Sequence, residues 1–177
     1  MELNKKTVLF CDFDGTLIKT CSGKTFGEDP TDFRIRKDVI DKIRVAMPEL
    51  HMICIVTNQG GIPRYITERD FNAKLRGVAK FLETYLNENP NDILIDIFFY
   101  YCMSDDDNDP LRKPNPGMLE RFMTERLYYA APILKDKANM LMIGDASGKE
   151  GNFSDSDKVC AERFGIDYCD VEDFVNL

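Results

Sequence analysis

The chain has 177 residues, 44% of them hydrophobic and 31% charged, with a formal net charge of −8. That balance belongs to an ordinary soluble domain large enough to bury a core without staples, and it excludes fibrous and disordered classes. The negative charge opposes non-specific attraction to nucleic acid, although a local basic rim is compatible with it.

Residues 1–6 (MELNKK) lead into the first apolar run without a signal peptide's apolar region. No stretch reaches the roughly 20 apolar residues of a membrane span, so a cytoplasmic chain with no membrane association is expected. Residues 7–13 (TVLFCDF) are nearly continuous in hydrophobicity, as in a strand covered on both faces. Next, Val39, Ile40, Ile43 and Met47 mark the apolar face of a helix over residues 36–47, stopped by Pro48. A second strand follows at residues 51–57 (HMICIVT). Thr67 to Asp70 resembles a capping box for a long helix whose buried face repeats Phe71, Leu75, Val78, Phe81, Leu82, Tyr85 and Leu86. Residues 95–101 (IDIFFYY) read as a third strand, and the charge run at 104–110 as a solvated loop that lacks calcium-loop spacing. A helix with Pro116 in its first turn carries Leu119, Phe122 and Leu127. Residues 139–144 (NMLMIG) form a fourth strand, residues 157–164 a helix ended by Gly165, and residues 166–169 (IDYC) a weaker fifth strand. This alternation predicts an α/β fold: a central, mainly parallel five-stranded sheet with right-handed crossovers and helices on both faces. Neither a repeat nor a linker interrupts it, so residues 1–177 are read as a single domain.

The six cysteines form no CxxC pair and no Cys/His cluster, which argues against a locally spaced zinc site and for reduced thiols. Cys11 and Cys54 lie in apolar runs and act as small hydrophobes. The one histidine, His51, sits at a strand edge without the companions a triad or metal site needs.

Ligands of parallel α/β sheets gather beyond the carboxyl ends of the strands. At those ends stand Asp12 and Asp14 before Gly15, Thr57 before the turn Asn58–Gly61, Lys113 after the third strand, and Asp145 after the fourth. Side chains two apart on extended backbone share a face, so Asp12 and Asp14 approach one centre. Three converging carboxylates repel one another unless a cation lies among them, and an all-oxygen ligand set suits Mg²⁺. With charge so neutralised, a phosphomonoester becomes an acceptable substrate. Asp12 is placed to attack phosphorus, Asp14 to protonate the leaving oxygen, and Thr57 with the amides after it to bind phosphoryl oxygens. By contrast, Gly23-Lys24-Thr25 is no P-loop, because Ile18 stands where the first glycine of that loop belongs.

The motifs DFDGT (12–16), TNQGG (57–61), RKP (112–114) and GDASG (144–148), in this order, resemble those of the haloacid dehalogenase superfamily of phosphatases. More narrowly, residues 22–35, TNQGGIPR (57–64), RKPNPGM (112–118) and NFSDSD (152–157) resemble the polynucleotide 3'-phosphatase branch over nearly the whole chain. The resemblance implies a three-layer, Rossmann-like fold and a small flap hairpin after strand one, with Gly23 as its turn residue and Lys24 facing solvent or substrate. With helices and a strand filling the intervals between motifs, no separate cap domain is expected. It implies Asp12 as nucleophile, Asp14 as general acid and base, Thr57 as phosphate ligand and Lys113 as the charge holding the phosphoryl group. Mg²⁺ would be held by Asp12, the backbone carbonyl of Asp14, and Asp145. Asn58, Arg64 and Arg34 would contact substrate, and the substrate would be a 3'-phosphorylated DNA or RNA end, as in DNA repair. Two departures stand out. The fourth motif lacks a second Asp at close spacing, so Asp155 and Asp157 are left off the metal, with Asp157 assigned to starting its helix. Tyr65 stands where the branch usually has Gly. Two other readings compete: a small-molecule phosphatase of the histidinol-phosphate or heptose-bisphosphate kind, which shares TNQGGI, and a non-catalytic binding module.

Overall fold

The structure is a computed structural model and describes residues 2–24, 29–89 and 92–177. Its five-stranded parallel sheet has the order β5-β4-β1-β6-β7, formed by β1 (Val8–Cys11), β4 (Met52–Asn58), β5 (Asp96–Cys102), β6 (Met140–Gly144) and β7 (Asp167–Asp170). Alternate residues of β1 serve opposite cores. Leu9 and Cys11 pack with α1 (Lys37–Ala46), α2 (Glu68–Leu86) and α6 (Val171–Asn176), whereas Val8 and Phe10 pack with α3 (Gly117–Arg126) and α5 (Ser156–Phe164). Phe10 anchors the second core through edge-on contacts with Phe122 at 5.3 Å and Phe164 at 5.9 Å between ring centroids. Helices thus cover both faces, which is why the strands read as unbroken apolar runs.

From β1 the chain passes to β4 on one side and later to β6 on the other, and this switch opens a crevice at the carboxyl end of β1. There the strand stops: the Asp12 amide still donates to Ile143 at 3.0 Å, but the Phe13 carbonyl accepts from Leu17 and Ile18, closing a turn. Gly15 adopts φ +86° in that turn, a conformation only glycine takes without strain. The chain then forms the expected flap, a two-stranded antiparallel pair of β2 (Ile18–Lys19) and β3 (Arg34–Ile35). Gly23 has φ +77° on this excursion and Lys24 is exposed, while Thr25 of the Gly-Lys-Thr motif lies outside the described residues.

Thr67 caps α2 by accepting from the Asp70 amide at 3.1 Å, and its hydroxyl donates to the Asp70 carboxylate at 2.8 Å. Pro116 occupies the N-cap of α3 rather than its first turn, and Gly165 ends α5 at φ +84°. Two short helices lie outside the sequence expectations: α4 (Pro132–Lys135) and α6, which leaves β7 directly with Asp170 capping the Glu172 amide at 3.0 Å. Among the described residues no helix is long and apolar enough to cross a membrane. All six cysteines are free, and burial pushes the Cys11 and Cys54 thiols well above the ordinary range, as befits packing residues.

Candidate active site

The strand ends bring five of the expected residues into one polar crevice, organised around Lys113. Its side chain is 2% exposed, and its ammonium donates to Asp12 Oδ1 at 2.7 Å, Asp157 Oδ1 at 2.7 Å and the Val56 carbonyl at 2.9 Å. All three ammonium protons therefore have acceptors. Burial by itself would lower the Lys113 pKa, but the two carboxylates outweigh it and hold the amine above its ordinary range. The Lys113 backbone is fixed as well. Asn58 donates from its side-chain amide to the Lys113 carbonyl at 2.8 Å and accepts from the Lys113 amide at 2.9 Å. Asn58, expected to meet substrate, thus has both side-chain polar atoms engaged in setting the lysine.

Asp12 is 7% exposed and takes a further hydrogen bond from the Thr16 hydroxyl, 3.2 Å from Oδ2. Asp14 is more open, its side chain 30% exposed. Gln59 donates to Asp14 Oδ2 at 2.6 Å and to the Thr57 hydroxyl at 3.0 Å, linking the general-acid candidate to the phosphate-ligand candidate.

Asp145 completes the acidic group. One carboxylate oxygen each from Asp12, Asp145 and Asp157 lie within 4.8 Å of one another. Glycine allows that crowding: a Cβ at Gly15 would stand 2.0 Å from Asp145 Oδ2, and one at Gly144 would stand 2.2 Å from Asp157 Oδ2. Burial first, and then repulsion from Asp157, push Asp145 up to about 6. Burial likewise drives Asp12 well above the carboxylate range, with Lys113 opposing it. Three carboxylates around one ammonium leave an excess of negative charge, so this donor set fits a hard divalent cation.

Asp157 does more than start its helix. It does stand in the first turn of α5, but its side chain points inward at 1% exposure, binding Lys113 and accepting from the Ala146 amide at 3.1 Å. The loop between β6 and α5 brings it there, folding back through Gly148 at φ +73° and an Asn152 hydrogen bond to the Asp145 carbonyl at 2.6 Å. Thr16, Gln59 and Lys74 were also missed, and Lys74 had a readable signal, a cation on the apolar stripe of α2 between Phe71 and Leu75.

The two expected arginines lie further out. Arg34 is exposed on β3, and Arg64 is 65% exposed, pairing with Asp105 at 3.3 Å and lying 5.7 Å from the Tyr65 ring centroid. No contact among the described residues joins either one to the acidic group.

Comparison with known proteins gives three points. Residues 7–175 match the family model described as "Polynucleotide kinase 3 phosphatase". Among curated relatives, the chain is 29% identical over 176 residues to the bifunctional polynucleotide phosphatase/kinase of Schizosaccharomyces pombe, covering 98% of this chain but 38% of that protein. It is 30% identical over 147 residues to the probable D-glycero-D-manno-heptose-1,7-bisphosphate 7-phosphatase of Thermoplasma volcanium, covering 82% of this chain and 90% of that one. Among solved structures, the D,D-heptose 1,7-bisphosphate phosphatase from B. bronchiseptica, complexed with magnesium and phosphate, shares the fold with a TM-score of 0.54. Its identity is 20%, over 92% of each chain.

Proposed function

The chain belongs to the polynucleotide kinase 3 phosphatase family of haloacid-dehalogenase-type phosphatases, and we propose that it is a Mg²⁺-dependent phosphomonoesterase removing 3'-phosphates from nucleic-acid ends through an aspartyl-phosphate. The observation that carries this reading is the Lys113 ammonium, buried between Asp12 and Asp157 at 2.7 Å from each. A purely structural network would balance its charges, because an uncompensated buried carboxylate is destabilising. This one crowds a third carboxylate, Asp145, against the pair, and burial makes Asp12 and Asp145 hold protons that a bound cation would displace, as a site completed by a cation and a phosphate requires.

In the first half-reaction an Asp12 oxygen bonds to phosphorus while the bond to the leaving oxygen breaks, and Asp14 gives its proton to that oxygen. In the second, water attacks phosphorus and gives a proton to Asp14, and the Asp12–phosphorus bond breaks to restore both carboxyls. Thr57 and the amides of the turn after it hold the phosphoryl oxygens, while Lys113 neutralises charge on the Asp12 side. When bound by Asp12, Asp145 and the Asp14 backbone carbonyl, Mg²⁺ supplies charge neutralisation for the phosphoryl group. Arg34 on the flap and Arg64 beyond the phosphate turn are the cations for a polymer's further phosphates. The six free cysteines suit a reducing compartment such as the cytosol.

Metal dependence should show in stability. Asp145, pushed up to about 6, binds its proton more tightly folded than unfolded. Its favourable contribution in the metal-free protein is therefore present below the ordinary carboxylate range and lost as pH rises through about 6. Mg²⁺ competes with that proton. The expected result is a rise in melting temperature on adding Mg²⁺ that is larger at pH 7.5 than at pH 5, measured by thermal denaturation with and without chelator. A Mg²⁺ effect that is flat or shrinks with rising pH would contradict it.

The Thermoplasma relative, matched over 90% of its length, supports a second reading, a small-molecule phosphatase. The discriminating experiment compares kcat/KM on a 3'-phosphorylated oligonucleotide with that on heptose bisphosphate and histidinol phosphate. The nucleic-acid reading predicts at least about a tenfold advantage for the oligonucleotide, within the range that differential contacts supply. Equal or better turnover of the small molecules would defeat it, and no turnover of any ester would favour a binding module.

A further inference from the structure

Lys74 of α2 occupies a position whose helical neighbours Phe71, Leu75 and Val78 are all buried core residues. An apolar side chain would serve packing there better than an ammonium, which must be partly desolvated. The lysine is 13% exposed and its Nζ stands 3.5 Å from Asp14 Oδ1. It is flanked by two aromatic rings, with centroids at 5.4 Å for Phe13 and 5.7 Å for Phe33, both within cation–π range. Phe13 lies between the two catalytic aspartates in the chain and Phe33 precedes β3 of the flap. The other Asp14 oxygen, Oδ2, accepts from Gln59 at 2.6 Å. Two donors from different elements, the helix and the phosphate turn, thus hold the two oxygens of one half-open carboxyl.

We propose that Lys74 is a positioning residue for Asp14, fixing with Gln59 the orientation in which that carboxyl passes its proton to the leaving oxygen. The short bond to Gln59 pins Oδ2. The longer contact leaves Oδ1 as the oxygen presented to substrate, with Lys74 facing the charge left there once the proton has moved to the leaving group and the phosphorus–oxygen bond has broken. The aromatic pair restrains the lysine stem, so the cation is placed before substrate arrives. This rests on the phosphatase reading above and assigns a residue that none of its motifs contains.

The test varies the leaving group. The ratio kcat/KM reports only steps through formation of the phosphoenzyme, so it isolates the protonation Asp14 performs. Three esters are compared in Mg²⁺: p-nitrophenyl phosphate, whose leaving group needs no proton, glycerol phosphate, and a 3'-phosphorylated oligonucleotide. Lys74→Met, which keeps the stem between the rings, should lower kcat/KM on both alkyl esters by about 10- to 100-fold, a share of what general acid catalysis contributes. It should change p-nitrophenyl phosphate by less than about twofold. Lys74→Arg should recover most of the loss. Equal losses on all three esters would overturn the proposal in favour of a structural role. A loss on the oligonucleotide alone would overturn it in favour of a contact with the polymer. No Mg²⁺-dependent turnover of any ester by the unaltered chain would overturn the phosphatase reading, and this inference with it.

Discussion

Asp12→Asn is expected to lower kcat by about 10⁴-fold or more on every phosphomonoester the chain accepts, the scale of loss seen when a nucleophile that works as part of a unit is removed. The change is nearly isosteric, so the fold should survive it. Asp12 is one of three carboxylates crowded around a single buried ammonium. Replacing it by a neutral amide relieves repulsion with Asp145 and Asp157 while Lys113 keeps Asp157 and the Val56 carbonyl. The melting temperature of the metal-free variant should therefore hold or rise as activity disappears. Steady-state assays and thermal denaturation check the two halves together. Residual turnover within a hundredfold of the unaltered chain, or a collapse of the fold, would contradict the role given to Asp12.

The second large effect falls on stability. In Lys113→Met, the Asp12 and Asp157 carboxylates each lose a 2.7 Å charge-assisted hydrogen bond and the Val56 carbonyl loses its 2.9 Å donor. Breaking a buried pair by removing one member costs about 3–5 kcal/mol, because the remaining charge stays buried without compensation. In a domain of this size that corresponds to a melting temperature lower by about 10 °C. The deficit has a direction in pH: Asp12 and Asp145 are already raised by burial, and further acidification neutralises the crowded group. The gap between the variant and the unaltered metal-free chain should accordingly narrow from pH 7.5 towards pH 5. An unchanged melting temperature at pH 7.5 would show that the ammonium is not what holds this cluster together.

How much of this was legible beforehand follows from which interactions are local. The central strands announced themselves because both faces are covered, so Val8–Cys11 and Met140–Gly144 are buried at every position. The strand ends carry the candidate site, and Asp12, Asp14, Thr57, Lys113 and Asp145 meet because parallel topology brings those ends together. Asp157 stands in the first turn of α5 as expected, but its inward bond to Lys113 depends on the loop between β6 and α5 doubling back, a tertiary event that helix-start chemistry does not encode. The hold of the Asn58 amide on the Lys113 backbone, 55 residues away, is likewise a tertiary contact that no local pattern encodes. The short α6 follows β7 without a turn, which left no punctuation to mark it. Lys74 was the reverse case: the anomaly was visible as a charge on an apolar stripe, but its meaning required knowing that Asp14 lies opposite. In the Gly23-Lys24-Thr25 segment, Gly23 takes the left-handed conformation expected of a turn residue on the flap excursion, and the proposed phosphate chemistry stays with Asp12 and Asp14.

The central claim, transfer of the phosphoryl group to Asp12 before water, has a stereochemical signature that does not depend on how long the intermediate lives. A thiophosphate ester made chiral at phosphorus with oxygen isotopes would be hydrolysed in isotopically labelled water, and the configuration of the inorganic thiophosphate determined. Two successive in-line displacements predict retention of configuration, whereas inversion would mean that water attacks the ester directly and that Asp12 is not the nucleophile.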